Sequence, residues 1–444
     1  MFPRKSLGVA LLAIAAGANV APTQAGEMED RIAALEKQLE DLKAMVASNQ
    51  SSIRTTVETL DVQAQEIDEA RPIRKGTKFT YGGYVQLDAI TSNYSEGKPS
   101  ALMDDLFVPS LIPVEPVSGD GDSFSNTNIH AKTSRFYFKT ETPTDVGKIS
   151  SHIELDFMIS GQGDERISNS WAGRIRHAFL DWEYAPGKSF RAGQYWSTFF
   201  NVGALPDQLD FVGPAGTVFE RQPMLRWTSG PWQLALENPI SRLNTPDSGS
   251  RLDDSEFMPD MIARYNGKTG DLSWSMAAIG RQLSYSARSD ANTEVASDEQ
   301  FGYGLSLSGK WTMGRDDLRF MFSYGDALGR YLGLNSYNDG YIGLDGDIET
   351  IDQMGAFIAY RHYWADQWRS SLTVSASSAD NPTENEYAGA GSFAKAYQSV
   401  HLNLQYLPAP RLMLGGELMY GSKELEDGRD GDMYRLQLAA KYAF

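Results

Sequence analysis

The stretch from Asp432 to Phe444 alternates without a break. Tyr434, Leu436, Leu438, Ala440, Tyr442 and Phe444 point one way, and Arg435, Gln437, Ala439 and Lys441 point the other. One face suits hydrocarbon and the other suits water. As the edge of a soluble sheet, such a strand would invite aggregation unless a neighbour covered it. In a closed membrane barrel it pairs with the first strand and the edge disappears. The alternation therefore favours a membrane barrel over a soluble sheet.

The same period of two begins after Lys75-Gly76. The first strand runs from Phe79 to Asp88, with Tyr81, Val85 and Leu87 on the apolar side and Gln86 and Asp88 opposite. A polar loop from Thr91 to Asn128 follows, then a strand from Ser134 to Thr140, a tight turn at Pro143-Thr144-Asp145, and a return strand carrying Ile149, Ile153, Leu155 and Phe157 outside and His152, Glu154 and Asp156 inside. Tight turns recur near Ala185-Pro186-Gly187, Ser229-Gly230, Asn266-Gly267, Gly314-Arg315-Asp316, Ala365-Asp366 and Pro408-Ala409-Pro410. Long loops are expected between them at 161–171, 201–220, 241–256, 286–297, 329–346, 380–392 and 423–430. The breaks give about sixteen antiparallel strands. Trp182, Tyr184, Trp227, Trp232, Trp274, Trp311, Trp364 and Trp368 cluster near the tight turns, where an interfacial aromatic belt belongs. Chains that end in Tyr-x-Phe after such alternation resemble the terminal strand of outer-membrane proteins.

No run of eighteen or more apolar residues follows the N-terminus, so a helical membrane protein is disfavoured. Residues 1–25 read as a secretory signal peptide: Arg4 and Lys5, then a short apolar run, then small residues before Gly26. With no cysteine, an exported chain draws its stability from backbone pairing and packing. A net charge of −18 argues against nucleic acid as a partner.

Residues 26–72 carry a different period. Ile32, Leu39, Val46, Ile53, Leu60 and Ile67 fall on one heptad position, and Met28, Leu35, Leu42, Asn49, Thr56, Gln63 and Ala70 on another, closed by Pro72. The pattern predicts an α-helical coiled coil, hence a homo-oligomer. It could extend about 60 Å into the periplasm. The alternative is an amphipathic helix packed on or plugging the barrel of residues 76–444.

Strand parity separates the lumen set from the lipid set. Opposite the apolar residues stand Arg135, Lys139, Arg191, Arg226, Arg264, Arg281, Lys310, Arg319, Arg361, Arg369, Arg435 and Lys441, against fewer inward acids: Asp88, Glu154, Asp156, Glu237 and Glu417. A basic lumen attracts anions, and guanidinium groups hold carboxylates through paired hydrogen bonds. The competing reading has these arginines bracing the wall against acids. Parity is open around Arg174, Arg176 and His177, where a bulge would change the face. The loop 201–220 carries Leu205, Leu209, Phe211, Val212 and Phe219, apolar residues that suit folding into the barrel or packing on a neighbouring subunit. Folded inward, it would place Arg221 and Arg226 at a constriction.

The segment Arg191-Ala192-Gly193-Gln194-Tyr195-Trp196-Ser197-Thr198-Phe199, with Pro206-Asp207-Gln208-Leu209-Asp210-Phe211 and Arg221-Gln222-Pro223, resembles the DcaP-like family of trimeric outer-membrane porins. The order of signal, coiled coil and Gly-Tyr-Val first strand extends the resemblance over nearly the whole chain. It implies a trimeric channel with a periplasmic coiled coil, taking up small anionic, often dicarboxylic, compounds.

The expected function is passive, anion-preferring diffusion of such solutes across the bacterial outer membrane, with lipid, lipopolysaccharide and self as partners and contact of the coiled coil with the cell wall. Alternatives are an envelope-spacing protein whose barrel only anchors it, or a general or phosphate-selective porin. An enzyme is disfavoured: five histidines and no Gly-x-Ser-x-Gly elbow offer no activated serine. No cofactor or metal site is expected; Asp-Gly-Asp steps at 120–122, 345–347 and 430–432 read as solvated turns rather than Ca²⁺ loops.

Overall fold

A computed structural model describes residues 76–444, except 120, 160–162, 165–167, 246–248, 254 and 289–293, together with residues scattered between 37 and 59. The chain divides into two units, 1–75 and 76–444. The signal-peptide reading lies outside the described residues. In the first unit the described residues are helical and exposed, including Leu39 and Val46 of the heptad seam.

The second unit is a barrel. Its strands are β1 (Lys78–Tyr94), β2 (Phe124–His130 continued by Arg135–Thr144), β3 (Gly147–Asp156), β4 (Arg174–Ala185), β5 (Lys188–Trp196), β6 (Arg221–Ser229), β7 (Trp232–Glu237) and β8 (Asp260–Thr269). They continue as β9 (Leu272–Arg288), β10 (Glu294–Met313), β11 (Asp316–Asp326), β12 (Asp352–Tyr363), β13 (Trp368–Asp380), β14 (Ala394–Ala409), β15 (Leu412–Leu425) and β16 (Asp430–Ala443). The two segments of β2 share one edge of β1, so the wall is sixteen strands. All neighbours are antiparallel, and β1 closes on β16 from Tyr84↔Ala443 to Tyr94↔Met433. The Phe444 N–H donates to the Gly83 carbonyl at 3.1 Å, completing the seam.

Alternation has the expected sense. Tyr81, Val85, Leu87, Leu436, Leu438 and Tyr442 are exposed on the outer face, while Gln86, Asp88, Arg435 and Gln437 are buried toward the inside. Trp182, Trp232, Trp311, Trp364 and Trp368 stand exposed near the short turns. Between β3 and β4 the register jumps: Glu154 faces His177 and Leu155 faces Ile175. The extra residue is a bulge that turns Arg176 and His177, adjacent in sequence, both inward.

Three expected loops are shorter than their sequence implied. Most of 286–297 extends β9 and β10, half of 423–430 extends β15 and β16, and 241–256 contains a hairpin of Ser241–Thr245 and Gly249–Asp253. Polar residues hid these extensions because strands that rise beyond the bilayer meet water on both faces.

The barrel is not hollow. The loop read as polar, 91–128, contains a short helix, Leu102–Asp105, and sends Met103, Leu106, Phe107 and Ile112 into the interior. The segment after β11 adds buried Leu328, Tyr331, Leu332 and Tyr337. Both join one apolar cluster with Phe199, Phe200, Val212 and Phe219 of the loop after β5.

Candidate functional site: the lumen and its constriction

The loop 197–220 folds into its own barrel, as its buried Leu209, Val212 and Phe219 require. Its anchors are mostly main-chain groups reaching across to β13–β16. Leu209 and Asp210 donate backbone N–H bonds to the Glu417 carboxylate at 2.9 and 3.2 Å. Ala215 and Gly216 donate to the hydroxyls of Ser399 and Ser375 at 3.1 and 2.7 Å. Asn403 Nδ2 donates to the Asp207 carbonyl at 2.7 Å. Gly216 permits the approach: a Cβ there would stand 2.3 Å from the Ala376 carbonyl oxygen and 2.5 Å from Ala356 backbone atoms.

The inward arginines sort into three groups. In the first, the charge is held by a neighbouring acid or spent on bracing the wall. Arg281, fully buried, bonds Asp260 at 3.3 Å and Asp339 at 2.7 Å. Arg435 is buried and donates to Ser92 Oγ at 2.8 Å, Tyr94 Oη at 3.1 Å and the Met103 carbonyl. These two are braces rather than lumen-facing groups: both are sealed beneath inserted loops. Lys139 pairs with Glu141 at 2.8 Å.

In the second group, cations outnumber their carboxylates. Lys310, Arg319 and Arg361 converge on Asp317, and Arg361 and Arg369 on Asp207 of the constriction loop, so four cations share two acids. On the other wall Arg135 and Arg176 bind Glu154, Arg174 and Arg176 bind Asp156, and the field of all three reaches Arg221. Arg191 is balanced one to one instead: it forms a two-pronged pair with Asp181, both contacts at 2.8 Å, and lies 4.0 Å from the ring centroids of both Phe179 and Tyr195.

In the third group no carboxylate lies within salt-bridge distance among the described residues. Arg221 stacks over Trp196 at 4.6 Å, and its Nη1 is buried without a hydrogen-bond partner. Arg226 donates to Thr198 Oγ1 at 2.7 Å and to the Trp196 carbonyl at 2.6 Å. Arg264 donates to Asn266 Oδ1 at 2.8 Å and to the Phe200 carbonyl at 3.0 Å. All three gather on 196–200, the root of the constriction loop. Arg191, Arg226 and Arg264 line a cavity of ≈ 270 Å³ with Asp181, Thr228 and Gln233. Lys441, over the Tyr84 ring at 3.8 Å, also lacks a carboxylate partner among the described residues.

Matching residues 15–444, the family model is that of DcaP outer membrane protein. The chain belongs to the DcaP outer membrane protein family. The crystal structure of the outer membrane channel DcaP of Acinetobacter baumannii superposes with a TM-score of 0.67 at 22% identity, covering 84% of this chain and 98% of that one. OmpT of Vibrio cholerae, in its trimer form, has a TM-score of 0.50 at 12% identity, covering 83% of this chain and 100% of that one. No curated protein sequence matches the chain. At these identities the structures establish a porin-type barrel, and the family makes the chain an outer-membrane protein.

The inward acids that parity alone could have found are Asp181, beside Trp182 on β4, Asp260 at the start of β8, and Asp317, two residues before Arg319 on β11. Asp207 and Asp339 come from inserted loops and left no periodic signal. With them, far more of the basic lumen is paired than the five expected acids allowed.

Proposed function

We propose that this DcaP family member is a passive, anion-preferring channel for small organic anions such as dicarboxylates. The observation that carries this is the gathering of Arg221, Arg226 and Arg264, none with a carboxylate partner among the described residues, at the root of the loop that narrows the lumen. Guanidinium groups whose hydrogen bonds go to neutral oxygens keep their full charge for a passing anion. The four-to-two group on one side and the three-to-two group on the other extend the surplus along the path, and partial neutralisation keeps each site weak enough to release its solute. Two carboxylates on one solute suit two guanidinium groups held by a rigid wall.

The exposed seam residues Leu39 and Val46 support a homotrimer joined by a periplasmic coiled coil after removal of residues 1–25. Lipid and lipopolysaccharide would contact the outer wall, and the coiled coil would reach toward the cell wall. In the rival reading the coiled coil tethers the envelope and the barrel only anchors it; deleting residues 28–70 would then abolish the role, whereas a channel still conducts. Reversal potentials across a KCl gradient in planar bilayers test the main reading. Anion selectivity is expected, and cation selectivity would refute it.

A further inference from the structure

The lumen wall holds two histidines, His152 and His177, that the proposed anion path does not use, on either side of Glu154. His152 and Glu154 lie two apart on β3 and share its inward face; the β3–β4 register sets Glu154 opposite His177, which the bulge has turned inward. Nothing in sequence spacing joins His177 to the other two. In space, one ligand atom from each of the three lies within 4.8 Å of the others. His152 Nε2 is 3.5 Å from Glu154 Oε2, and His177 Nδ1 is 3.7 Å from Glu154 Oε1.

We infer that His152, Glu154 and His177 form a binding site for a zinc-class divalent cation in the channel wall. Two imidazoles and a carboxylate are the donor set of open, three-ligand zinc sites, and their separations approach the edge of a tetrahedron built on metal–ligand bonds of about 2.0–2.2 Å. Borderline-soft nitrogen donors select Zn²⁺, Cu²⁺ or Ni²⁺ over Ca²⁺ and Mg²⁺, which prefer all-oxygen shells.

The surroundings hold the donors in place. The His152 ring lies between Tyr137 and Phe179, with centroids at 5.5 and 5.3 Å and planes within 17° and 18°. Arg176 and Arg135 approach Glu154 through Oε1, at 2.8 and 3.3 Å, leaving Oε2 turned to His152. Such outer contacts orient ligands in metal sites. The other ring nitrogen of His177, Nε2, is buried without a hydrogen bond. A fourth position opens on a cavity of ≈ 640 Å³ whose lining continues to Gly187 and Gly230 at the short-turn end, an entry path from the periplasm. The nearby guanidinium groups oppose a cation, so the affinity falls below that of a closed structural zinc site.

Isothermal titration of ZnCl₂ into the intact, detergent-solubilised protein tests the assignment. One site per chain is expected, displaced by Cu²⁺ and indifferent to excess Ca²⁺ or Mg²⁺. His152→Phe keeps the ring stack, removes one ligand, and is expected to weaken Zn²⁺ binding more than about tenfold. A second measurement needs no variant: Zn²⁺ should protect His152 from carbethoxylation by diethyl pyrocarbonate, read by peptide mass spectrometry, while His362 keeps its reactivity. No saturable Zn²⁺ binding, binding unchanged in His152→Phe, or no protection of His152 would overturn the inference.

Discussion

The guanidinium of Arg221 lies 4.6 Å from the ring centroid of Trp196, and no carboxylate of the described residues balances it. The indole comes from the end of β5 and the arginine from the start of β6, so the two residues flank the constriction loop at both of its roots. Trp196 gives the guanidinium a face to rest on without neutralising it. Removing this charge should lower anion preference. A unit charge about 5 Å from a solute is worth about 3 kcal/mol at an effective dielectric constant of about 20, before screening by salt. Arg221→Gln is expected to reduce the anion-to-cation permeability ratio several-fold, and Arg221→Glu more, as read from reversal potentials in planar bilayers. An unchanged ratio would remove Arg221 from the path.

Arg281 should behave differently. Its replacement by alanine leaves Asp260 and Asp339 buried without their shared cation, at a cost of about 3–5 kcal/mol. The expected result is a lower unfolding midpoint in heat-modifiability gels, with the selectivity of the folded fraction unchanged.

Asp207 holds Arg361 at 3.3 Å and Arg369 at 2.9 Å from within the loop. Asp207→Asn keeps the backbone carbonyl that receives Asn403, frees Arg369 from its carboxylate and leaves Arg361 with Asp317 alone. Anion preference is expected to rise, the opposite sign to Arg221→Gln in the same assay.

Gly216 controls the width. In Gly216→Val, the new side chain has backbone atoms of Ala356 and Ala376 in its way, so the loop must leave the far wall. Single-channel conductance should rise and the size limit for neutral sugars in liposome swelling should relax, with charge selectivity weakened rather than reversed.

The end of the same loop carries a pH response. Burial pushes the Glu220 carboxyl up to about 7, against the pull of Arg330 and Arg221. The folded chain therefore binds this proton more tightly than the unfolded chain between 4.5 and about 7. The stability it contributes is present in acid and lost as pH rises through about 7. Over the same rise a negative charge appears beside Arg221. Anion preference should fall as pH climbs through neutrality, and Glu220→Gln should flatten that dependence.

Alternation made the wall legible in the sequence, because every second residue meets lipid and a polar residue there is costly. The apolar residues of 201–220 likewise betrayed an inserted loop. The interior was harder. Tyr331 and Tyr337 sit in a stretch rich in Gly, Asn and Asp, Met103 and Phe107 in a short apolar run inside a loop read as polar, and their burial depends on contacts between distant loops, which leave no period. The charge balance failed for the same reason, since Asp207 and Asp339 enter the lumen only when those loops do. His177 was ambiguous because one extra residue in β4 changes its face, and only the strand pairing shows it.

The constriction loop is held to the far wall largely by its own backbone N–H groups, at Leu209, Asp210, Ala215 and Gly216, while the unpaired guanidinium groups stand at its root on β6 and β8. Under the proposed function, sieving and charge discrimination reside in different atoms. Substitutions at 221, 226 or 264 can retune which solutes are favoured while the aperture stays fixed, leaving room for relatives to diverge in diet without rebuilding the sieve.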